Sequence, residues 1–428
     1  MAHPTPEERK QLQLEMLQST LNRAYKYVPF HQNQFRKAGM DPSKVESLDD
    51  LSSLPFMERI HLGRHYPYGL FAVPLRDIVR IHTAPGTTLN PTVTGYTKTD
   101  IAIWKKIVAN SLKASGVTST DIMEIFLEPG LANWGRDYKD GAEDERVEAS
   151  VIPDTFLSME KQIMVLTDYK VSVLITTPGQ ALDLSRHLFE HNHNATELNL
   201  KTLILVGEPV TAEIRTLLEE KLHVATWVHY GLSELPGPAI AFECAEHNGL
   251  HVNEDHFIAE IIDPVTKKVL PPGKEGELVL TTLTTRAYPL IRFRTGDRAV
   301  MMTEACPCGL TLNRIKWLPG RTDDMISIHG VKIHERLISY HLEDYLGFTP
   351  VFKYFVHKDI DDNSDGGSKG RQYLEIWIAV SDDLFSDEIK ELEKLMRKAG
   401  DKLRENIGVP VVIRLKEAKS LDDHPDEC

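Results

Sequence analysis

The chain has 428 residues, a net charge of −14, an ordinary apolar fraction of 41% and four cysteines. That length allows more than one domain, and the acidic balance without a long basic run excludes nucleic acid as the main partner, because phosphate binding needs a concentrated positive face. No apolar run reaches membrane-spanning length, the opening MAHPTPEERKQLQLEMLQ lacks the build of a signal peptide, and four thiols over this length make no disulfide framework, so a cytoplasmic protein with no membrane partner is expected.

In chain order, residues 7–27 place Leu12, Leu14, Met16, Leu17 and Leu21 near helical spacing, and 98–115 read as a second helix opened by Thr99 and Asp100. DIVRIHT, ending at Thr83, reads as a strand. KVSVLITTP (170–178) and LKTLILVGEP (200–209) are β-branched apolar runs that stop at turn residues, with helical segments at 179–191 and 211–222. That alternation predicts parallel strands with crossover helices. From Phe257 the pattern changes to short strands joined by Pro/Gly turns, a β-rich subdomain. A boundary falls at 318–325. Beyond it, a strand (326–333), helix (335–346), strands (351–357 and 372–380), helix (386–405) and strand (411–416) predict a small α+β unit. The polar, Gly/Ser-rich run between those two middle strands reads as a mobile loop.

Three places carry residues suited to chemistry. In HTAPGTTLNPTVTGYT (82–97), Gly86, Thr87 and Thr88 can offer backbone N–H groups and hydroxyls to phosphate oxygens. The Walker A spacing is absent, and a plain Pro-Gly turn is the alternative. In VHYGLSELPG (228–237), Glu234 follows a tight turn at a strand's carboxyl end, where α/β folds bind ligands. A carboxylate there can hold Mg²⁺, although a lone Glu is usually a solvated surface residue. Third, Cys244 and His251 stand as C-x6-H, and Cys306 and Cys308 as Cys-Pro-Cys-Gly in a turn. Three thiols and an imidazole make a closed tetrahedral Zn²⁺ site of the structural kind, and a turn buries too little for packing to explain the pair.

Taken in order, HYPYGLFAVP (65–74), PTVTGYTKTDI, GEP (207–209), YGLSE (230–234), GLHVNEDHFIAEIIDP, GELVLTTLT, PLIRFRTGD and GRTDDMISIHGVKI resemble the phenylacetate–CoA ligase family of the adenylate-forming superfamily, over nearly the whole chain. The resemblance implies an α/β adenylate-forming fold: residues 1–320 as a large domain of α/β and β subdomains, and 321–428 as a small α+β lid. It implies ATP and Mg²⁺, an acyl-adenylate made from a small carboxylic acid, and CoA as acceptor. Gly86, Thr87 and Thr88 would contact phosphates. Glu208 and Pro209 would lie along adenine, Tyr230 would stack near the base, and Glu234 would hold Mg²⁺. Asp297 would take the ribose hydroxyls beside Arg321, Asp323 would be the lid hinge, and Gly330 would let pantetheine pass. The four zinc ligands match positions that many members use. Members are often dimers, so a homodimer is expected.

The chain departs from that pattern in three ways. Where the family reads Ser-Ser-Gly-Thr-Thr-Gly-Lys-Pro, this chain reads Ala84-Pro85-Gly86-Thr87-Thr88-Leu89-Asn90-Pro91, which removes a hydroxyl, an N–H and a positive charge. After Ser420 comes an acidic run in place of the lid lysine, with Lys416 and Lys419 out of register. The segment 126–157, which would line the acyl pocket, is charged, with Thr155 and Phe156 where small glycines usually stand. Weakened adenylation is therefore expected. Beside the ligase stand two further readings: a repurposed ATP-independent hydrolase or transferase using His82, His229 or Glu234 as acid or base, and a non-catalytic nucleotide- or CoA-binding protein.

Overall fold

The computed structural model describes residues 4–84, 90–128, 131–152, 158–235, 237–323, 325–328, 331–357, 373–379 and 389–416. The chain begins with helices α1 (Pro6–Tyr27), α2 (Pro29–Lys37) and the short α3 (Arg59–Arg64). Thr5 and Glu8 form a capping box ahead of Pro6, which fixes the start of α1. Its inner face buries Leu17, Leu21 and Ala24 against Phe35, Leu54, Leu283 and Ile291.

Strands β1 (Arg80–Ala84) and β2 (Thr92–Tyr96) pair antiparallel on either side of residues 85–89, which lie outside the described residues. Helix α4 (Lys98–Ala114) follows, capped by Thr97 and Asp100. Then come β3 (Ile122–Ile125), α5 (Ala132–Ala142), β4 (Ser150–Ile152), α6 (Met159–Asp168), β5 (Val173–Thr176), α7 (Pro178–Glu190), β6 (Thr202–Val206), α8 (Ala212–Leu222) and β7 (Ala225–Leu232). Strands β3 to β7 are parallel, in the order β4-β3-β5-β6-β7. Their side chains alternate between two cores, as a pleated strand requires. Leu174, Leu203 and Leu205 meet Leu184 and Leu188 of α7 and Leu218 and Leu222 of α8. Val173, Ile175, Ile204 and Val206 face the other core, with Trp104, Ile107 and Val108 of α4. The crossover pattern expected for 170–222 is thus found, with strands shorter than their apolar runs.

After β7 the direction alternates. Strands β8 (Gly237–Glu243), β9 (Leu250–Val252), β10 (Phe257–Ile262), β11 (Glu275–Thr282), β12 (Phe293–Met301) and β13 (Arg314–Arg321) pair antiparallel. The β-rich character expected beyond Phe257 is present. These strands are nevertheless hydrogen-bonded through β9 into the same eleven-stranded sheet as the parallel set.

Asp100 joins the two halves. Its buried carboxylate closes the α4 cap and also accepts from the backbone N–H of Arg286 at 2.7 Å and Ala287 at 3.2 Å. Replacing Asp100 with Ala is expected to destabilise the protein by about 2–4 kcal/mol, since a cap is lost and buried N–H groups lose their acceptor. A thermal midpoint unchanged from the parent would refute that role.

The C-terminal part opens with a hairpin of β14 (Met325–Ile328) and β15 (Val331–His334), where the sequence pattern predicted one strand. Apolar alternation is the same in both cases, and the antiparallel register of Met325–Ile328 with Val331–His334 is what separates them. Helix α9 (Glu335–Leu346), β16 (Phe352–His357), β17 (Tyr373–Ala379), α10 (Ile389–Ile407) and β18 (Val411–Lys416) follow, with the strands in the order β16-β17-β18. The predicted loop between β16 and β17 lies outside the described residues. No described helix is long and apolar enough to cross a membrane.

Candidate functional site

Six charged side chains from five parts of the chain meet at the carboxyl end of β7. Arg59 opens α3, Glu234 sits in the turn after β7, and Asp297 lies on β12. Arg321 ends β13, Asp323 follows it, and Lys332 lies on β15. They form a chain of alternating charge. Glu234 Oε1 accepts from Arg59 Nε at 2.5 Å, and Arg59 Nη1 donates to Asp323 Oδ2 at 2.9 Å. Arg321 grips Asp323 with two bonds of 2.6 and 2.8 Å and pairs through Nη1 with Asp297. Lys332 Nζ lies 3.2 Å from Asp297 Oδ2, which also accepts the Tyr230 hydroxyl at 2.7 Å.

Backbone geometry makes room for this. Gly296 adopts φ +72, and a Cβ there would fall 2.1 Å from Asp323 Oδ2 and 2.5 Å from Arg321 Nη2. Only glycine tolerates both that conformation and that approach.

Burial and charge compete at Asp297, Glu234 and Lys332. Burial favours the protonated form of Asp297, but the charges of Lys332, Arg321 and Arg59 overcome it and hold the carboxyl at about 2. At Glu234 burial likewise raises and the charges of Arg59 and Lys332 lower, with a net displacement below the usual carboxylate value. Lys332 is dominated by burial, and its pKa falls to about 8 despite Asp297. Among the described residues, two buried atoms of the network have no partner: Arg59 Nη2 and Glu234 Oε2. One is a donor suited to an anion and the other an acceptor suited to a cation.

Other expected site residues are distributed around this network. Glu208 is buried just past β6, the neighbour of β7, and Pro209 beside it is half-buried. Asn90, at the loop position where a lysine was expected, donates from Nδ2 to the Gly63 carbonyl at 3.0 Å. Gly86, Thr87, Thr88, Gly330, Thr155 and Phe156 lie outside the described residues. His229 is not brought to the site. It is fully buried, with Ser115 Oγ 3.0 Å from Nε2 and the Tyr138 hydroxyl 2.9 Å from Nδ1, and burial pushes its pKa down to about 3. Both ring nitrogens are occupied, which leaves none to exchange a proton with a ligand. His82 lies on β1 beside the 85–89 segment, with Nδ1 3.0 Å from the Tyr96 hydroxyl and Nε2 unpartnered.

Arg59 and Lys332 were missed by sequence reasoning. Lys332 had a signal, a lone lysine among the alternating apolar residues Ile326, Ile328, Val331 and Ile333. Arg59 had none, because nothing local in PFMERIHLG distinguishes it from a surface arginine.

A second cluster lies at the far end of the antiparallel strands. The donor atoms of Cys244, His251, Cys306 and Cys308 lie within 4.8 Å of one another. Cys244 Sγ is 3.6 Å from Cys306 Sγ, and Cys308 Sγ is 3.4 Å from His251 Nε2. Two thiolates on one tetrahedral zinc stand about 3.8 Å apart, so the donor set fits that ion. All three described cysteines are free of disulfides.

Comparison with known proteins places these features in context. The "AMP-binding enzyme" family model matches residues 148–285. A phenylacetate–coenzyme A ligase of Thermus thermophilus is 35% identical over 96% of this chain and 92% of its own length. One from Pseudomonas putida is 39% identical over 76% of this chain and 73% of its own. The fold is that of a 2-hydroxyisobutyryl-CoA ligase solved with 2-HIB-AMP and CoA in its thioesterification state, with a TM-score of 0.86, 23% identity, and coverage of 99% of this chain and 89% of that one.

Proposed function

This chain belongs to the phenylacetate–CoA ligase family, and from that membership we propose that it activates an aryl or acyl carboxylic acid with ATP and passes the acyl group to CoA, with adenylation slower than a complete phosphate loop would give. The observation that carries this reading is the unpaired pair of atoms in the charge network, Arg59 Nη2 and Glu234 Oε2. The first step brings a carboxylate against an α-phosphate, anion on anion. Arg59, Arg321 and Lys332, each facing a carboxylate, offer preorganised donors there in a buried setting, where they count for more than in water. Glu234 offers its free oxygen to Mg²⁺, which when bound neutralises phosphate charge. Asp297, held ionised by its three cationic neighbours, suits ribose hydroxyls. Asp323 would serve as the hinge of the 321–428 lid, and its bonds to Arg59 and Arg321 would have to part as the lid turns. The loss of a lysine at Asn90 is what slows the step.

The test is pyrophosphate release over a panel of aryl and fatty carboxylates with Mg²⁺, followed by CoA thioester formation. Release that requires the acid, and that falls about 100-fold in Glu234→Gln, supports the proposal. Acyl hydrolysis without ATP, and no release with any acid, would replace it by the hydrolase reading. Nothing in the site favours that second reading now, since His229 is sealed and His82 faces no nucleophile among its described partners.

Cys244, His251, Cys306 and Cys308 are proposed to hold a structural Zn²⁺. The ion would tie the β8–β9 turn to the β12–β13 turn, steadying the strand that ends in Arg321.

A further inference from the structure

Beside the charge network, four buried polar atoms of β1, α4 and α5 have no partner among the described residues: His82 Nε2, Trp104 Nε1, Trp134 Nε1 and Asp137 Oδ2. β1 is bound to α5 by Asn133 Nδ2 donating to the Thr83 carbonyl at 2.9 Å and by Arg80 reaching Asp137 and Asp140. Asp137 is 2% exposed and Trp104 4%. Polar atoms sealed this well are nearly always hydrogen-bonded in a working protein, so their partner is a ligand or a trapped water.

Gly237 fixes where two of them point. It begins β8, three residues past Glu234, with φ +111, and a Cβ there would sit 2.2 Å from Asp137 Oδ2 and 3.1 Å from Trp104 Nε1. A carboxyl oxygen and an indole N–H therefore converge on the bare flank of one glycine. Asp137 Oδ1 already takes Arg80 Nη1 at 3.3 Å, while Arg80 Nη2 goes to Asp140 at 2.6 Å. Oδ2 is the oxygen left over.

Chemistry narrows what can satisfy both. The indole N–H only donates, and a carboxylate oxygen only accepts. An ammonium has nothing to accept with, a carbonyl has nothing to donate, and an apolar ring edge does neither. A hydroxyl does both. Burial pushes the Asp137 carboxyl well above the usual carboxylate range; a carbonyl would suit that protonated form alone, whereas a hydroxyl suits the carboxyl in both forms. Helices α4 and α5 both pack on β8 there, three residues past the Glu234 that the ligase reading places at the nucleotide. We infer that Trp104 and Asp137 form a specificity subsite that reads a hydroxyl on the substrate acid, so that the chain acts on hydroxy-substituted aryl or acyl acids. The inference rests on the ligase reading for the place of the carboxylate.

The experiment compares phenylacetate and benzoate with each of their ring-hydroxylated isomers on the full chain, by thioester formation and by calorimetric binding of the same acids. A site built to bond a hydroxyl rejects the analogue lacking it strongly, so at least one hydroxylated isomer should exceed its parent by about 100-fold or more in kcat/KM and in affinity. Trp104→Phe keeps the ring while removing the N–H, and Asp137→Asn keeps the shape while changing the acceptor. Each should cut that discrimination at least about tenfold. Parent acids turned over as well as every hydroxylated isomer would overturn the inference and leave the ligase standing, with a trapped water as the partner of Trp104 and Asp137. Undiminished discrimination in both variants would overturn it as well. Selective binding of a hydroxylated acid without turnover of any acid would uphold the subsite and sink the ligase reading.

Discussion

Lys332→Met is expected to lower kcat/KM for acid-dependent pyrophosphate release by about 100- to 1,000-fold, the usual effect of removing one preorganised charge from a transition state. The fold should survive, because Asp297 keeps Arg321 and the Tyr230 hydroxyl. Burial of the ammonium is itself costly. With the pKa drawn from the ordinary 10.5 to about 8, keeping Lys332 charged at neutral pH opposes folding by about 3 kcal/mol. The methionine variant should therefore be more stable near neutrality while nearly inactive. The sign follows from proton counting: the folded state binds fewer protons than the unfolded between about 8 and 10.5, so the wild type gains stability as pH rises through that window and the gap to the variant narrows. Activity runs the other way. Wild-type nucleotide affinity should fall as pH passes about 8 and Lys332 loses its charge, while the variant shows no such limb. Lys332→Arg, which stays charged, should move the limb to higher pH. A variant with normal turnover, or one that keeps the alkaline limb, would remove Lys332 from the mechanism.

The second large effect concerns the Cys/His cluster. Protein prepared without chelator should carry about one zinc per chain, and Cys306→Ser with Cys308→Ser should lose it along with about 4 kcal/mol or more of stability, in the range that loss of a structural metal reaches. Chelation should give the same fall in Tm, reversed by zinc. The loss should concentrate where β9 meets β13, at the His251–Arg314 pairing, because that register is held by only two residue pairs. Turnover at low temperature should change little, since no donor atom of the cluster belongs to the charge network. Metal-free protein as stable as the parent would mean that the four residues are packing alone.

Residue periodicity determined much of this protein. Helices α1, α4, α7, α8 and α9 fall within a residue or two of their expected bounds, because each carries an apolar stripe and the first four have a capping threonine at their start. Helix α5 escaped notice within a charged run, ANWGRDYKDGA, whose glycines weaken local helix preference and whose stability comes from packing on α4. Glu234, Tyr230, Asp297, Arg321 and Asp323 were legible because they sit in the short motifs that carry the family resemblance, and the four Cys/His residues because of their spacing. Spacing along the chain does not encode which charges face one another across it. Arg59 lies 175 residues from Glu234 and 264 from Asp323, and Lys332 lies 35 from Asp297. Likewise His229 reads as a reactive residue in sequence, yet Ser115 and Tyr138 close over it in the core. Local pattern records which face of an element is buried. Only the packed sheet decides which buried polar groups find partners and which, like Asp137 Oδ2 and Glu234 Oε2, are left without one among the described residues.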